Sequence, residues 1–330
     1  MHKIAKTNFY VIVILSMFCL FGCDTREKSS LKSDSFTIAV LPDTQIYSEK
    51  YPNIFLAQTN WIAKNAVALK LLCVVQEGDI VNNDIEYQWQ NADKAISVLD
   101  KNKIPYCIAI GNHDCVDYKH NKRNSDNFNK YFGTKRIANK KWYGGSLNNQ
   151  SENSYYFFES AGKKIMVLCL EFGPRDEVLD WANQLAEKYA DRHIIVVTHG
   201  YMNNDDTRLS PGDNHNPHDY LKEANDGEDM WEKFVRRHNN IFLVLSGHVV
   251  GDGNGKLTSY SDNKTKVTQI LANYQMKENG GNGWLRLMKF VPAEDKIVVE
   301  TYSPYLKKYN EDPNGCFVVE DIGLFKKAAN

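Results

Sequence analysis

Three short apolar runs open the readable part of the chain: residues 36–41, 71–75 and 104–110. None alternates with polar residues, which is the pattern of strands buried on both faces. Between them, residues 54–69 carry Trp61, Ile62 and Leu69 at helical spacing, and residues 87–99 form a second helical segment. Strand, helix, strand, helix, strand implies a parallel sheet with right-handed crossovers.

Further along, residues 119–150 are polar and rich in Asn, Lys and Gly, and are expected to be a long surface excursion. Residues 155–158 and 164–170 flank Ala161-Gly162, a hairpin signal. Residues 178–189 read as a helix, 193–197 as a strand, 203–227 as a polar loop, 230–238 as a helix and 241–245 as a strand. The last third, with runs at 267–272, 285–291 and 297–302, reads as antiparallel. No internal repeat or linker divides the chain. The expectation is one α/β domain over residues 36–330, with a mixed second sheet.

The N-terminus has a different character. Lys3 and Lys6 precede an apolar run over residues 9–21 that only Ser16 interrupts. The run is too short to span a bilayer and fits the apolar region of a signal peptide. It ends in Leu20-Phe21-Gly22-Cys23, which resembles a bacterial lipobox. The expectation is a signal peptide over residues 1–22, an exported protein anchored in the cell envelope through a lipidated Cys23, and a polar tether over residues 23–35. Past Cys19 and Cys23 the cysteines are Cys73, Cys107, Cys115, Cys169 and Cys316, an odd set that cannot all pair within one chain. Cys73, Cys107 and Cys169 sit in apolar runs and read as core, and the absence of a CxxC spacing argues against a thiolate zinc site. Forty basic residues balance 41 acidic ones, so the chain has no electrostatic footprint for nucleic acid.

The candidate chemistry shares one placement. Asp43, Asp79, the Asn112-His113-Asp114 block, His199 and His248 each lie just past the end of an expected buried strand. In α/β sheets, ligands bind in the crevice at the carboxyl ends of strands. Two carboxylates, an amide oxygen and two imidazoles suit zinc, manganese, iron or magnesium rather than copper(I). Gly78, Gly111 and Gly247 precede three of these residues and permit tight turns. Singly, each residue has an ordinary explanation: Asp43 as a helix cap, Asn112 as a turn residue, His199 or His248 as a satisfied histidine. Tyr201 follows the His199 turn and could line the pocket, and His215 and His218 could reach into it from their loop. Trp61, Trp89, Trp181 and Trp231 read as core, and Trp142 as a candidate exposed aromatic.

Asp43-Thr44-Gln45, Gly78-Asp79, Gly111-Asn112-His113-Asp114, Thr198-His199 and Gly247-His248 resemble, in order, the five blocks of the calcineurin-like metallophosphoesterase family. The resemblance implies a four-layer α/β/β/α sandwich of two mixed sheets holding one or two divalent metal ions. It implies that Asp79 bridges the metals, that Asn112, His199 and His248 complete one shell, and that Asp43, with Gln45, serves the other. It further implies a phosphate mono- or diester substrate touching Asn112 and attacked by metal-bound hydroxide. His113 would be the general acid, oriented by Asp114. Two departures stand out. Gln45 and Val250 replace the family's usual imidazoles, both at the first metal, for which Asp252 is a nearby candidate substitute. Asn82 also replaces a common acidic residue. A single-metal hydrolase, or a non-catalytic ligand-binding lipoprotein on the same scaffold, are the competing expectations. Metal content separates them. The segments Asn273-Tyr274-Gln275 and Thr301-Tyr302-Ser303-Pro304 are similar to a bacterial subgroup, with no role assigned.

Overall fold

The computed structural model describes residues 34–115 and 123–325. Strand β1 (Phe36–Leu41) leads through the short α1 (Gln45–Glu49) to α2 (Pro52–Asn65), β2 (Leu71–Gln76), α3 (Glu86–Lys101) and β3 (Tyr106–Ile108). β1, β2 and β3 are parallel, so their carboxyl ends meet at one edge. Next come α4 (Asp126–Phe132), α5 (Thr134–Ile137), β4 (Tyr143–Ser146), β5 (Ser154–Ser160), β6 (Lys163–Leu170), α6 (Asp176–Lys188) and β7 (His193–Thr198). The chain continues through α7 (Gly227–Lys233), β8 (Ile241–Ser246), β9 (Asn254–Tyr260), β10 (Lys266–Ala272), β11 (Leu285–Val291) and β12 (Lys296–Ser303). It ends in β13 (Lys308–Tyr309) and β14 (Phe317–Val319).

Two seven-stranded sheets result. One runs β13-β12-β11-β1-β2-β3 with β14 beside β12, and the other runs β4-β5-β6-β7-β8-β10-β9. Both are mixed, as expected for the sandwich. The last third is divided rather than uniformly antiparallel. β10 lies parallel to β8 in the second sheet, while β11 and β12 return to the first and pair antiparallel from β1 outward.

Alternation along β6 shows how the layers are built. Ile165, Val167 and Cys169 face the large core shared with β1, β2 and β11, and Met166, Leu168 and Leu170 face a second core with α6 and α7. Both faces are apolar because both are covered. The β5–β6 hairpin turns at Ala161 (φ 51°) and Gly162 (φ 69°), the two left-handed residues that a tight hairpin demands. Cys73, Cys107 and Cys169 are buried free thiols in the large core.

The region read as a surface excursion is instead partly ordered into α4, α5 and β4. Phe128, Phe132 and Ile137 are buried, with Phe132 and Tyr131 against Trp89. A few well-spaced aromatics suffice to fold a polar segment, and composition conceals them. Trp142 packs against the large core rather than standing out in solvent. Trp89 itself is fully buried and its Nε1 donates to Asp84 at 2.7 Å. We expect Trp89→Ala to cost about 3–5 kcal/mol in urea unfolding, since it combines a cavity with a lost hydrogen bond. A cost under about 1 kcal/mol would show that the surrounding aromatics collapse into the space.

Candidate metal centre

Five turns converge where the strand ends of the two sheets meet. They are joined by backbone contacts: Thr44 N donates to the Asp79 carbonyl (3.1 Å) and Gly247 N to the His199 carbonyl (3.0 Å). The glycines before the candidate ligands act mainly through close approach. A Cβ on Gly111 would lie 2.1 Å from Asp79 Oδ1, one on Gly247 2.2 Å from Asp43 Oδ1, and one on Gly78 2.7 Å from His199 Nδ1. Gly78 alone of the three has positive φ; otherwise the candidate ligands take the left-handed turn, Asp79 at φ 53° and His248 at φ 71°.

Ligand atoms of Asp79, His199 and His248 all lie within 4.8 Å of one another, and all three residues are buried. His199 Nδ1 donates to the Glu77 carbonyl at 2.8 Å, because a carbonyl can only accept. That leaves Nε2 aimed at Asp79 Oδ2, 3.0 Å away, with Asp43 Oδ2 at 4.0 Å. The short contact is not aligned as a hydrogen bond, and Nε2 has no such partner. His248 Nε2 donates to the His215 carbonyl (2.9 Å), which leaves Nδ1 as the ring nitrogen able to accept a cation. Asn112 Oδ1 is buried without a partner. Two imidazole nitrogens and a carboxylate oxygen gathered within 4.8 Å, with an orphaned amide oxygen on the neighbouring catalytic-block turn, are a donor set suited to a cation. These residues therefore fit a divalent metal.

Asp43 stands beside this group. Its carboxylate accepts from His248 N (3.2 and 3.3 Å) and from Asn273 Nδ2 (2.9 Å). Gln45 is buried, donates to Gln275, and keeps its Oε1 unpartnered, as an oxygen donor toward a second ion would. Asp252 is not brought to the site. It is exposed, and its carboxylate accepts from Asn254 N (2.9 Å) in its own turn.

The electrostatics of these side chains are set by burial and by one another. Burial, reinforced by Asp79, pushes the Asp43 carboxyl up to about 7 against the pull of His199. Burial opposes charge on His199, but Asp79 and Asp43 outweigh it and raise the group to about 10. Burial and then His199 drive His248 down to about 3. Asp79 is held well below the carboxylate range, since His199 and His113 overcome its burial. Before it takes up an ion, the centre thus holds a proton on His199 and shares one at Asp43. Metal binding must expel them, so apparent affinity should rise with pH. We expect about two protons released per ion below pH 7 and about one above it, read by calorimetry in buffers of different ionisation enthalpy. Binding independent of pH would contradict this.

His113 N donates to Asp79 Oδ1 (2.9 Å), and its Nδ1 donates to the Asn82 carbonyl (2.8 Å), leaving Nε2 as the nitrogen able to pass a proton. Asp114 does not orient this ring, contrary to the expectation. It is buried and accepts from Ile80 N, Val81 N and Gly111 N at 2.8–3.0 Å, tying the two loops together. Burial and nearby Asp79 raise Asp114 to about 7 despite those donors. Tyr201 is also corrected. It is fully buried in the outer core and its hydroxyl donates to Gln269 (2.9 Å), because the chain turns it away from the rim toward α7. His218 is engaged with Asp229 (2.9 Å), and His215 contributes its carbonyl.

Several roles at the site escape a reading of the sequence. Asn273, past the end of β10, bridges Asp43 and the His248 carbonyl. The strand-end rule applied to β10 would find it. Phe172, past β6, packs its ring 4.8 Å from His248 and 5.8 Å from His199. Glu77 is fully buried with both carboxylate oxygens unpartnered, and burial raises its pKa despite Arg286.

The family described as Calcineurin-like phosphoesterase matches residues 36–252, which span every one of these turns. The chain belongs to the calcineurin-like phosphoesterase family. The uncharacterized protein YvnB of Bacillus subtilis is 38% identical over 288 residues, covering 84% of this chain. The chain spans only 20% of YvnB's length. Among solved structures, the purple acid phosphatase PPD1 of yellow lupin (Lupinus luteus) shares the fold with a TM-score of 0.53 at 14% identity. The match covers 88% of this chain and 55% of that one. The NAD nucleotidase NadN of Haemophilus influenzae matches with a TM-score of 0.43 at 13% identity, over 82% of this chain and 48% of that one.

Proposed function

We propose that this phosphoesterase-family chain hydrolyses a phosphate mono- or diester, with one divalent cation held by Asp79, Asn112, His199 and His248. Asp43, with Asp79 and the Gln45 oxygen, would hold a second. The supporting observation is the buried cluster of Asp79, His199 and His248 ligand atoms within 4.8 Å of one another, with His199 Nε2 3.0 Å from Asp79 Oδ2. Divalent cations, when bound there, supply Lewis-acid stabilisation of phosphoryl charge and lower the pKa of water.

The chain's own residues do the rest. The Glu77 and His215 carbonyls fix which imidazole nitrogens are free to ligate. Asn273 holds Asp43 in place from the far side. Phe172 and Tyr220 wall the imidazoles from water, with the Tyr220 ring 5.6 Å from His248. His113 protonates the leaving oxygen from Nε2 while Asn82 steadies its ring. The test is metal stoichiometry on the purified protein, paired with a mono- and diester screen in zinc, manganese, iron and magnesium. One or two ions per chain with turnover supports the reading; no tightly bound ion and no turnover overturns it.

We also propose that the protein is exported and held in the bacterial envelope through lipidated Cys23, on the strength of the basic, apolar and Gly-Cys sequence signals. Residues 1–33 lie outside the described residues. Cys23→Ser should shift the protein from the detergent-extracted membrane fraction to the soluble one, and unchanged membrane retention would refute the anchor.

A further inference from the structure

Beside the catalytic loop lies a groove of about 350 Å³. Ile110 and Cys115, which bracket the Asn112-His113-Asp114 block, form one wall. Glu171, the residue before Phe172, forms another. The groove therefore adjoins the loop that carries His113.

The charges in the groove are already spent on one another. Arg123 donates to the Phe172 and Gly173 carbonyls (2.7 and 2.6 Å) and lies 3.3 Å from Glu171. Arg175 donates to both Glu171 oxygens (2.9 and 3.2 Å). Neither guanidinium is free for a second phosphate, and Asp126 and Glu152 add negative charge. Among the described residues no aromatic side chain lines the groove, so this lining offers a nucleobase no stacking surface. What remains are mixed donors and acceptors. Asn148 and Gln150 present amides, and Glu152 has an unpartnered buried Oε2, since its Oε1 alone accepts from Ser125 and from Asn129 (2.8 Å). A hydroxyl both donates and accepts, and so matches such a lining.

We propose that this groove receives the alcohol portion of the substrate, and that this alcohol is an uncharged, hydroxyl-rich group, a sugar or polyol. The inference rests on the phosphoesterase reading. In the reaction, water forms the new P–O bond and the ester P–O bond breaks. The departing oxygen takes a proton from His113, giving free alcohol and inorganic phosphate.

The test compares glucose 6-phosphate, sorbitol 6-phosphate, a nucleoside monophosphate and methyl phosphate on the metal-loaded protein and on Gln150→Leu and Glu152→Gln. Wild type should favour the sugar and polyol phosphates. Each variant should lose about threefold to tenfold in kcat/KM on them, the value of one neutral hydrogen bond. Methyl phosphate, too small to fill the groove, should be unchanged. Equal losses on all substrates, or a wild-type preference for the nucleotide, would overturn the assignment while leaving the phosphoesterase reading intact. Should no ester be hydrolysed, that reading fails instead, and the groove is judged by saturation-transfer NMR with free glucose and sorbitol. Contacts in wild type that weaken in the variants sustain the groove, and no contacts in wild type sink it.

Discussion

Asp79→Asn is expected to strip the tightly bound metal and lower kcat/KM by at least about a thousandfold, the scale of several kcal/mol of lost electrostatic stabilisation. The substitution keeps shape and removes charge. Asn can still accept from His113 N through its Oδ1, so the turn after β2 should survive. It cannot supply the anionic oxygen now 3.0 Å from His199 Nε2. With that carboxylate gone, His199 gives up its proton more readily, but the group of Asp79, His199 and His248 loses its only anion, and that loss dominates. Elemental analysis and steady-state kinetics on the same preparation read both effects. A variant that retained its metal and turned over within about tenfold of wild type would place the reactive centre elsewhere. Asp43→Asn should separate the two ions: it leaves the Asp79, His199 and His248 group intact, so one ion per chain should remain.

Sequence and structure part company where side chains end and backbone begins. The strand-end positions of Asp43, Asp79, Asn112, His199 and His248 are legible because buried strands are short, apolar and unbroken, and the residues just past them must turn at the rim. Topology alone therefore implies their clustering, before any distance is known. The groups that hold them are not legible. The Asn82, Glu77 and His215 carbonyls that orient His113, His199 and His248 belong to the main chain, which every residue type shares. Adjacent letters mislead for the same reason. Asp114 comes directly after His113 but points back to clamp three amides, and Tyr201 comes after the His199 turn but sinks into the opposite core. Glycine roles also shift: Gly111 and Gly247 read as turn formers, yet they make room for carboxylates that only the packed structure places against them. Residues 119–150 read as loop because apolar spacing over α4 is carried by Phe128 and Phe132 alone amid polar neighbours.

His113→Asn should leave metal content unchanged and reduce turnover of alkyl phosphates by about 10²–10⁴, the usual contribution of a positioned general acid. The separation is possible because the side chain of His113 is tied to the Asn82 carbonyl and only its backbone N–H touches Asp79. That backbone contact survives the substitution, so the Asp79 carboxylate keeps its place. The loss should depend on the leaving group. An alkoxide needs the proton as the P–O bond breaks, whereas p-nitrophenolate leaves without one, so the defect on p-nitrophenyl phosphate should shrink to roughly tenfold or less. Asp114→Asn gives the contrast. It leaves the ring's partner in place but turns one acceptor oxygen into an amide NH2 that cannot accept from the backbone N–H groups it faces, and should therefore lower stability and slow turnover of both substrates alike. If His113→Asn lost its metal, or hurt aryl and alkyl esters equally, His113 would be a ligand or a structural residue, and the proton would have to come from another group.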